Sequence, residues 1–507
     1  MKNKLLGGSV ILILASLLCK VMGAVYRIPL SNILGAEGIG IYQMIISVFS
    51  LALIISSGGV SVAVSHHVAK ALANNASSTK SIFLKGFYFS LITSIFFAFI
   101  FIFFAKNISF SQGNSLGAGG YVVAAFALVF ASLISAYRGL YQGHQNMLPT
   151  AISQMIEQSF KLVFGLFFAT YFVRFGLAQG VSGAFLGIAI SELFALIYLV
   201  VLSQKFAFTN SPIFQKNRQF WKTNSLVTLS SLIIPLLTAF DSFFVVNILS
   251  NQFEQSFATA LYGLQSGIVN SLINFPVVIS IAVSLALLPN LSYLLSSSQT
   301  VKAKKSVQNV FLALLAIVLP LFLIFFVFAK EIFMVLYPSL SEKLLLTAVN
   351  LLRISSLEVV FIAMLQVSIS ALQSLDKSLI AALIMGGCGC IKILLTVILV
   401  SSPQINILGL AISGVSFYAV AGVMAFLVVK KKIGFSINLS HLSLCFALST
   451  ILAISFLGIE VYFESVLAKI CACGLIGVLI YVLPLFLCNF LNIKTVVQGI
   501  VRREKIE

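Results

Sequence analysis

The chain has 507 residues, of which 60% are hydrophobic and only 9% are charged, and its formal net charge is +18. A soluble globular domain carries about 25% charged residues, so this composition excludes an ordinary water-soluble fold. The basic residues are scattered over short polar segments without interleaved aromatic residues, which is typical of cytoplasmic loops in membrane proteins. We therefore expect an integral membrane protein with no nucleic-acid partner.

Long apolar runs recur along the whole chain, separated by short polar loops. Runs of about 20 apolar residues match helices that cross a bilayer, whereas barrel strands need only about ten residues of alternating character. The sequence thus predicts an all-α integral membrane protein with fourteen transmembrane helices. The predicted spans are 5–26, 39–65, 86–105, 119–137, 150–173, 180–203, 224–249, 258–290, 307–329, 344–372, 379–400, 405–429, 441–459 and 465–491.

The distribution of positive charge favours this number of spans. With the N-terminus inside, 21 of the 31 Lys and Arg residues fall in inside loops or tails. Five fall outside, namely Arg27, Lys106, Arg174, Lys330 and Lys343. The remaining five lie within spans, namely Lys20, Lys161, Arg353, Lys392 and Lys469. Because inside loops of membrane proteins are enriched in Lys and Arg, we expect both termini to be cytoplasmic.

An internal repeat divides the predicted spans. A constant offset of 231 residues places Gln142 on Gln373 and Lys161 on Lys392. Two six-span halves in one orientation are typical of transporters that bind substrate between the halves near the bilayer midplane. The predicted organisation is an N-lobe at 1–203, a cytoplasmic inter-lobe loop at 204–223, a C-lobe at 224–432, and spans 13 and 14 with a basic cytoplasmic tail at 433–507.

Catalytic motifs are missing from the sequence. It contains no HExxH, GxSxG or Walker A pattern. The pairs Cys388/Cys390 and Cys471/Cys473 lie inside apolar runs without the spacing and partners of a metal site. We expect neither an enzyme nor a bound cofactor or metal.

The first span carries two cations, Lys20 and Arg27, which lie seven residues apart. Seven residues rotate a helix by about 700°, so both side chains share one face, about 10 Å apart along the axis, with Gly23 between them. Two cations beside a small residue suit the binding of an anion. The alternative is that both side chains extend to the outer interface.

Other ionisable residues fall within later spans. Glu157 and Lys161 have the i,i+4 spacing of an internal ion pair, whereas Lys392 has Cys388 four residues before it and needs another partner. The predicted substrate-binding residues are Lys20, Gly23, Arg27, Lys161, Arg353 and Lys392. The predicted ion-coupling or ion-pair residues are Glu157, Glu192, Asp241 and Glu358.

Several motifs resemble those of one family. They are Lys20-x-x-Gly23-x-x-x-Arg27, Glu37-Gly-Ile-Gly40-Ile-Tyr42, Arg138-Gly-Leu-Tyr-Gln-Gly-His-Gln-Asn-Met-Leu-Pro149 and Ser153-Gln-Met-Ile-Glu157-Gln158. With them the chain resembles the lipid-linked oligosaccharide flippases of the multidrug/oligosaccharidyl-lipid/polysaccharide (MOP) superfamily. The resemblance is to the stage V sporulation protein B group and its MurJ-type lipid II flippase relatives.

This resemblance implies a V-shaped bundle of two six-helix lobes plus two C-terminal helices. It also implies alternating access of a cationic cavity to a polyprenyl-diphosphate-linked sugar, with the basic face of the first span at the diphosphate. The chain departs from the family at three positions: Lys20 stands where Arg is usual, and Ser271 and Asn274 stand where MurJ-type proteins commonly carry Arg and Glu.

Three functions remain open from the sequence. The first is a flippase for a cell-wall or polysaccharide precursor in a bacterial plasma membrane, acting as a monomer among membrane lipids. The second is a cation or drug antiporter that uses Glu157, Glu192 or Asp241. The third is a membrane enzyme, which the missing catalytic motifs and short loops disfavour. The first span offers two cations and no acid, which favours an anionic ligand and hence the flippase.

Overall fold

The structure is a computed structural model that describes residues 2–74, 79–204, 218–436, 439–463 and 465–487. Within these ranges every regular element is helical, which confirms the predicted all-α fold. The longer helices begin and end as follows: α1 Lys2–Ser57, α2 Val60–Ala73, α3 Thr79–Phe103, α4 Ala105–Ser111, α5 Ala118–Gly143, α6 Leu148–Phe172, α7 Leu177–Ser203, α8 Arg218–Ser231, α9 Ile233–Leu249, α10 Gln255–Gly263, α11 Asn270–Ser296, α12 Thr300–Val327, α13 Ala329–Leu336, α14 Glu342–Ser374, α15 Ser378–Ser401, α16 Leu408–Ile433, α17 Leu439–Tyr462, α18 Val466–Gly477 and α19 Leu483–Leu487. Two 3₁₀ turns, Ser115–Gly117 and Val173–Phe175, and two π-helical segments, Leu264–Val269 and Val478–Val482, connect some of them.

Helix α1 is too long for a single crossing. Its 56 residues would span about 84 Å as one straight helix, against about 30 Å of hydrocarbon. Gly35 interrupts it with a φ of 67° and a ψ of 178°, so the helix consists of two helical segments. The first and second predicted spans lie on opposite sides of this residue.

The described helices include eleven that are long and apolar enough to cross a membrane, or twelve when the bent pair α8 and α9 counts as one span. That number treats Leu14–Ala73, which contains the break at Gly35, as one crossing. The predicted spans fall on the described helices apart from short interruptions, such as 58–59 and 405–407, and from residues 488–491, which lie outside the described ranges. The total of fourteen stays a prediction.

The predicted inter-lobe loop is shorter than its assigned range. Helix α8 begins at Arg218, inside the predicted loop 204–223, while residues 205–217 lie outside the described ranges. Phe220 is fully buried in a cluster with Val60, Val64 and Leu140. Burial of this aromatic side chain holds the first turn of α8 against the helices of the N-terminal part, so the loop prediction is wrong for 218–223.

The chain forms two compact units. Unit 1 comprises Met1–Ser271 and Ile393–Gly409, and unit 2 comprises Leu272–Lys392 and Leu410–Glu507. The boundaries of these units differ from those of the predicted lobes at 1–203 and 224–432. Helices α8, α9 and α10, which the prediction assigned mainly to the C-lobe, belong to unit 1. The division into lobes therefore stays a prediction.

Small residues bring helices of unit 1 into close contact. A Cβ atom on Gly187 of α7 would overlap the backbone of Gly165 on α6, and one on Gly183 would lie 2.5 Å from the carbonyl oxygen of Phe168. Such small-residue contacts are typical of helix packing in membranes, where lipid offers no hydrophobic force between helices. They fix α6, which carries several of the predicted site residues, against α7.

Unit 2 has a core at each end. One cluster of buried side chains, which includes Leu291, Phe311, Leu372, Ala381 and Ile433, joins α11, α12, α14, α15 and α16. A second cluster joins α12 and α13 to α17 and the following π-helical segment. Its members include Phe328, Phe456 and Tyr481. The first cluster includes Ala303 and Ile433, which directly follow lysines of α12 and α16.

Candidate functional site

The first half of α1 packs along α6. The Ser16 hydroxyl donates to Oε1 of Gln154 over 3.1 Å. One turn further, the sulfur atoms of Cys19 and Met155 lie 3.7 Å apart. A Cβ atom on Gly23 would lie 3.6 Å from Oε1 of Gln158. The contact face of α1 therefore includes Gly23, which lies at the seam with α6.

Lys20 and Arg27 lie beside this seam. No residue before Gly35 in α1 has non-helical dihedral angles, and Pro29 follows Arg27, so the spacing keeps both on one face, about 10 Å apart along the axis. The Lys20 side chain is exposed and the Arg27 side chain is partly buried. Within the ranges that the structure describes, neither side chain makes an ion pair or a hydrogen bond. Their positive charges are thus uncompensated by this part of the chain.

A third cation approaches the same stretch of α1 from α6. Nζ of Lys161 lies 5.3 Å from the centre of the Tyr26 ring, a cation–π geometry. Tyr26 is 2% exposed, and its hydroxyl would lie 2.7 Å from a Cβ atom on Gly165. The glycine leaves room for the ring, and the ring positions the ammonium group of Lys161 next to the segment that carries Arg27.

The predicted pairing of Glu157 with Lys161 is wrong. Nη2 of Arg138 on α5 lies 2.8 Å from Oε2 of Glu157 on α6, and Nε of Arg138 donates to the Ser153 hydroxyl over 3.0 Å. Nε2 of Gln158 donates to the other carboxylate oxygen over 2.9 Å. Lys161 instead faces the Tyr26 ring. Arg138, which directly follows the predicted span 119–137, thus pairs inside the bundle, and the Arg138–Gln158 motif contains every member of this network.

Glu192 on α7 completes a charged group in unit 1. Its side chain is 9% exposed, and it interacts electrostatically with Glu157, Arg138 and Lys161. Two cations and two carboxylates thus lie near one another across α5, α6 and α7. Asp241 on α9 is 8% exposed and interacts electrostatically with Tyr262.

The charged residues of unit 2 also meet partners. Lys392 on α15 interacts electrostatically with Glu358 on α14, and both are buried. A Cβ atom on Gly414 would lie 2.5 Å from Oε1 of Glu358, so the glycine makes room for the carboxylate. The sequence indicated that Lys392 needs a partner from another helix, and in the structure it interacts with Glu358.

Two further cations of unit 2 are engaged. Nε of Arg353 donates to the carbonyl oxygen of Phe326 over 3.2 Å, which satisfies one donor of its guanidinium group. Nζ of Lys469 lies 2.6 Å from Oε1 of Glu331. Glu331 on α13 thus pairs with a lysine of α18, which is distant in sequence, whereas Glu358 meets a lysine of the next helix, α15.

The second half of α1 contacts α10 and the π-helical segment after it. A Cβ atom on Gly40 would clash with the carbonyl oxygen of Thr259, and one on Gly263 would clash with the carbonyl oxygen of Ala36. Nε2 of Gln43 donates to the carbonyl oxygen of Ser266 over 2.8 Å. These contacts join the second and eighth predicted spans within unit 1.

Polar side chains extend this contact on both sides. Nδ2 of Asn114 donates to the Thr259 hydroxyl over 3.0 Å, and Nε2 of Gln112 donates to the Ser242 hydroxyl over 2.9 Å. The Tyr121 hydroxyl in turn donates to Oε1 of Gln112 over 2.6 Å. Buried amides whose donors and acceptors are satisfied stabilise one specific arrangement of helices.

The Arg138–Glu157 ion pair gives a stability prediction. Both side chains are under a fifth exposed, and Arg138→Gln leaves the Glu157 carboxylate without its main partner. We expect the variant to lose about 2 kcal/mol of unfolding free energy, less than for a fully buried pair because the site is partly solvated. Thermal unfolding of the purified protein in detergent measures this. The double variant Arg138→Gln/Glu157→Gln should lose less than the sum of the two single variants, and additive losses would contradict the pairing.

Comparison with known proteins gives the family. The sequence profile of the family described as polysaccharide biosynthesis protein matches residues 5–295, more than half of the chain. The chain belongs to this family. A second family profile, MatE, matches residues 227–398 of the chain. Together with the relatives below, the two matches assign the chain to the MOP flippase superfamily.

Two relatives from Bacillus subtilis (strain 168) extend the comparison. Stage V sporulation protein B is 28% identical to the chain over 473 residues, and the alignment covers 89% of the chain and 88% of that protein. Lipid II flippase MurJ is 32% identical over 173 residues, covering 31% of each chain. The first relationship extends over nearly the whole chain, and the second over less than a third of it.

Solved structures show the fold of the polysaccharide biosynthesis family member. The inward closed conformation of lipid II flippase MurJ matches with a TM-score of 0.73 and 15% identity, covering 94% of this chain and 97% of that one. An inward-facing multidrug resistance MATE family transporter of the MOP superfamily matches with a TM-score of 0.68 and 15% identity, covering 82% and 94%. At this identity the likeness establishes the helical fold alone.

Proposed function

We propose that the protein is a flippase that moves a polyprenyl-diphosphate-linked oligosaccharide or peptidoglycan precursor across the bacterial plasma membrane by alternating access. The observation that carries the proposal is the pair of cations on α1. Lys20 and Arg27 share a face and make no ion pair within the described ranges. A diphosphate group offers oxygen acceptors that such cations bind by charge-assisted hydrogen bonds.

The other cations would act after the diphosphate has bound. Lys161 faces the Tyr26 ring, Arg353 donates to the Phe326 carbonyl, and Lys392 interacts with Glu358. A substrate phosphate must replace or join these contacts to meet the same side chains. We propose that Lys20 and Arg27 bind first, because their donors are not engaged by the described part of the chain.

The family relationships support this substrate class. Stage V sporulation protein B aligns with most of the chain, and the shorter match is to a protein named lipid II flippase. The protein is a multi-pass membrane protein, and we propose that both termini are cytoplasmic, as the charge bias predicts. We propose that it acts as a monomer, without a cofactor.

The contacts between α1 and α10 suggest how one side of the pathway closes. The distribution of positive charge predicts that the Gly35 break and residues 250–257 lie on the extracellular side of the membrane. We propose that the close approach at Gly40 and Gly263 seals the outer end of the pathway in this conformation. Alternating access then requires these helices to separate when the substrate headgroup leaves.

A cation or drug antiporter is the second candidate. The MatE profile matches 227–398, and Glu192, Asp241 and Glu358 are nearly buried carboxylates of the kind that bind protons or sodium ions in transporters. Two of them, however, interact with cations of the protein itself. The same residues would serve a flippase as ion-coupling sites, so they do not by themselves favour an antiporter.

Growth of bacterial strains separates the two candidates. We expect the wild-type chain to restore growth of a strain depleted of its lipid II flippase and of related flippases. We also expect it to leave the susceptibility of a drug-sensitive strain to cationic dyes unchanged. Dye resistance without restored growth would contradict the flippase proposal and support the antiporter.

A further inference from the structure

Seven lysines gather at one end of unit 2. They belong to three separate stretches of chain: the first turns of α12, the turn between α14 and α15, and the last turn of α16. They are Lys302, Lys304, Lys305, Lys377, Lys430, Lys431 and Lys432. We refer to these seven residues as the lysine cluster. Beneath it, Ala303, Leu372 and Ile433 belong to one buried hydrophobic cluster, so the three stretches meet in space.

The chain turns sharply after α16, and the residue that follows this turn packs against α12. Gly434 has a φ of 71°, and its N–H donates to the carbonyl oxygen of Lys430 over 2.9 Å. A glycine in this left-handed conformation commonly ends a helix. Phe435 then stacks on Phe311 of α12, with ring centres 5.7 Å apart and an interplanar angle of 9°. Lys430–Lys432 are therefore held beside the start of α12.

Like charges are brought together within the lysine cluster. The side chains of Lys377 and Lys432 lie close enough to interact electrostatically. Nζ of Lys304 would lie 3.3 Å from a Cβ atom on Gly434, two residues after Lys432. None of the seven lysines makes an ion pair with an acid anywhere in the described ranges. Cations held together in this way repel each other unless an anion lies between them.

Exposed apolar side chains flank the lysine cluster. Leu379 is 68% exposed and Leu383 is 66% exposed, both on α15 just after Lys377. Val301 at the start of α12 is 77% exposed, and Leu427, one turn before Lys431, is 55% exposed. A soluble anion would need the charges alone, whereas a lipid would use both the charges and this apolar surface.

We propose that the lysine cluster binds the phosphate headgroup of an anionic phospholipid such as phosphatidylglycerol, whose acyl chains pack on the exposed leucines of α15. The charge bias assigns this end of the helices to the cytoplasmic side, where clustered lysines next to membrane helices bind anionic lipids. Lys304, Lys377 and Lys432 hold the phosphate, and the other four lysines add positive charge around it. The site involves no residue of the proposed substrate site.

Thermal unfolding of the delipidated, detergent-purified full chain tests this site. The probes are phosphatidylglycerol, phosphatidylcholine and inorganic pyrophosphate, each added to the wild type, to Lys304→Gln/Lys377→Gln/Lys432→Gln, and to the matched control Lys70→Gln/Lys80→Gln/Lys222→Gln. A ligand that binds only the folded state raises the unfolding midpoint. We expect phosphatidylglycerol alone to raise the midpoint of the wild type and the control. The cluster variant should lose more than half of that rise.

Other outcomes overturn the proposal. An equal loss in the control would mean that total positive charge, and not this cluster, attracts the lipid. A rise with pyrophosphate as large as with phosphatidylglycerol would assign the cluster to a soluble phosphate. No rise in the wild type would exclude a lipid site. The measurement involves no transported substrate, so its result is independent of the proposed flippase activity.

Discussion

Replacing Lys20 and Arg27 together with glutamine should abolish the ability of the protein to support growth of a strain depleted of its lipid II flippase. Each cation offers charge-assisted hydrogen bonds to a diphosphate, worth about 1.5–3 kcal/mol. Losing both costs about 3–6 kcal/mol, which corresponds to about 10² to 10⁴ in affinity. Colony formation after depletion of the resident flippase measures the effect, with protein levels compared by immunoblot.

Two comparisons make this result specific. Lys106→Gln/Arg174→Gln removes the same charge from exposed positions of unit 1 and should support normal growth. Arg27→Lys should retain more activity than Arg27→Gln, because it keeps the charge but loses the bidentate geometry of the guanidinium group. Normal growth with the Lys20→Gln/Arg27→Gln variant, at wild-type protein levels, would contradict binding of the diphosphate by α1.

Gly263→Ala should impair transport by preventing the close approach of α10 to α1. The added Cβ atom would clash with the carbonyl oxygen of Ala36, a backbone atom that cannot rotate away. Inserting a methyl group into such a contact costs about 1–3 kcal/mol, which shifts a two-state equilibrium by about 5-fold to 150-fold. We therefore expect the outer end of the transport pathway to be open in a larger fraction of molecules. We expect the transport rate to fall by about 5-fold to 150-fold.

Cysteine labelling measures this opening directly. In a variant whose seven native cysteines are replaced, Ser266→Cys should react faster with an impermeant thiol reagent when Gly263→Ala is also present. Gly458→Ala is the matched control, because nothing lies within 4 Å of a Cβ atom at that position. Unchanged labelling together with wild-type transport would contradict an outer closure at this contact.

Hydropathy and charge were sufficient to predict the helical membrane fold. Most described residues of the predicted spans are helical, because about 20 apolar residues in lipid must satisfy their backbone hydrogen bonds internally. The break at Gly35 was missed as a structural feature, although it falls between two predicted spans. Its positive φ depends on how the two segments of α1 pack, which hydropathy does not report.

The pairing of charges could not be predicted from spacing along one helix. Glu157 and Lys161 have favourable i,i+4 spacing, yet Glu157 pairs with Arg138, nineteen residues away on α5. Lys392 likewise meets Glu358 on the neighbouring α14. These partners are set by the packing of neighbouring helices, where small residues such as Gly414 make room for the side chains. Helix spacing reports only neighbours on the same helix.

The predicted repeat at an offset of 231 residues includes two lysines that meet acids in the structure. Lys161 and Lys392 are 231 residues apart, which is the offset of the predicted repeat, and each interacts electrostatically with a buried glutamate from another helix. In the first half that acid is Glu192 on α7, whereas in the second it is Glu358 on α14. In the predicted repeat the lysine recurs, but the helix that carries its acidic partner precedes it in one case and follows it in the other.

The most direct test of the proposed function is a flipping assay in proteoliposomes. The wild type should move a fluorescent undecaprenyl-diphosphate-linked sugar between leaflets faster than protein-free vesicles do. Lys20→Gln/Arg27→Gln should reduce the rate to that of empty vesicles, while Lys106→Gln/Arg174→Gln should retain the wild-type rate. Flipping by the Lys20→Gln/Arg27→Gln variant at the wild-type rate, or no flipping by the wild type, would contradict a flippase that binds its substrate through α1.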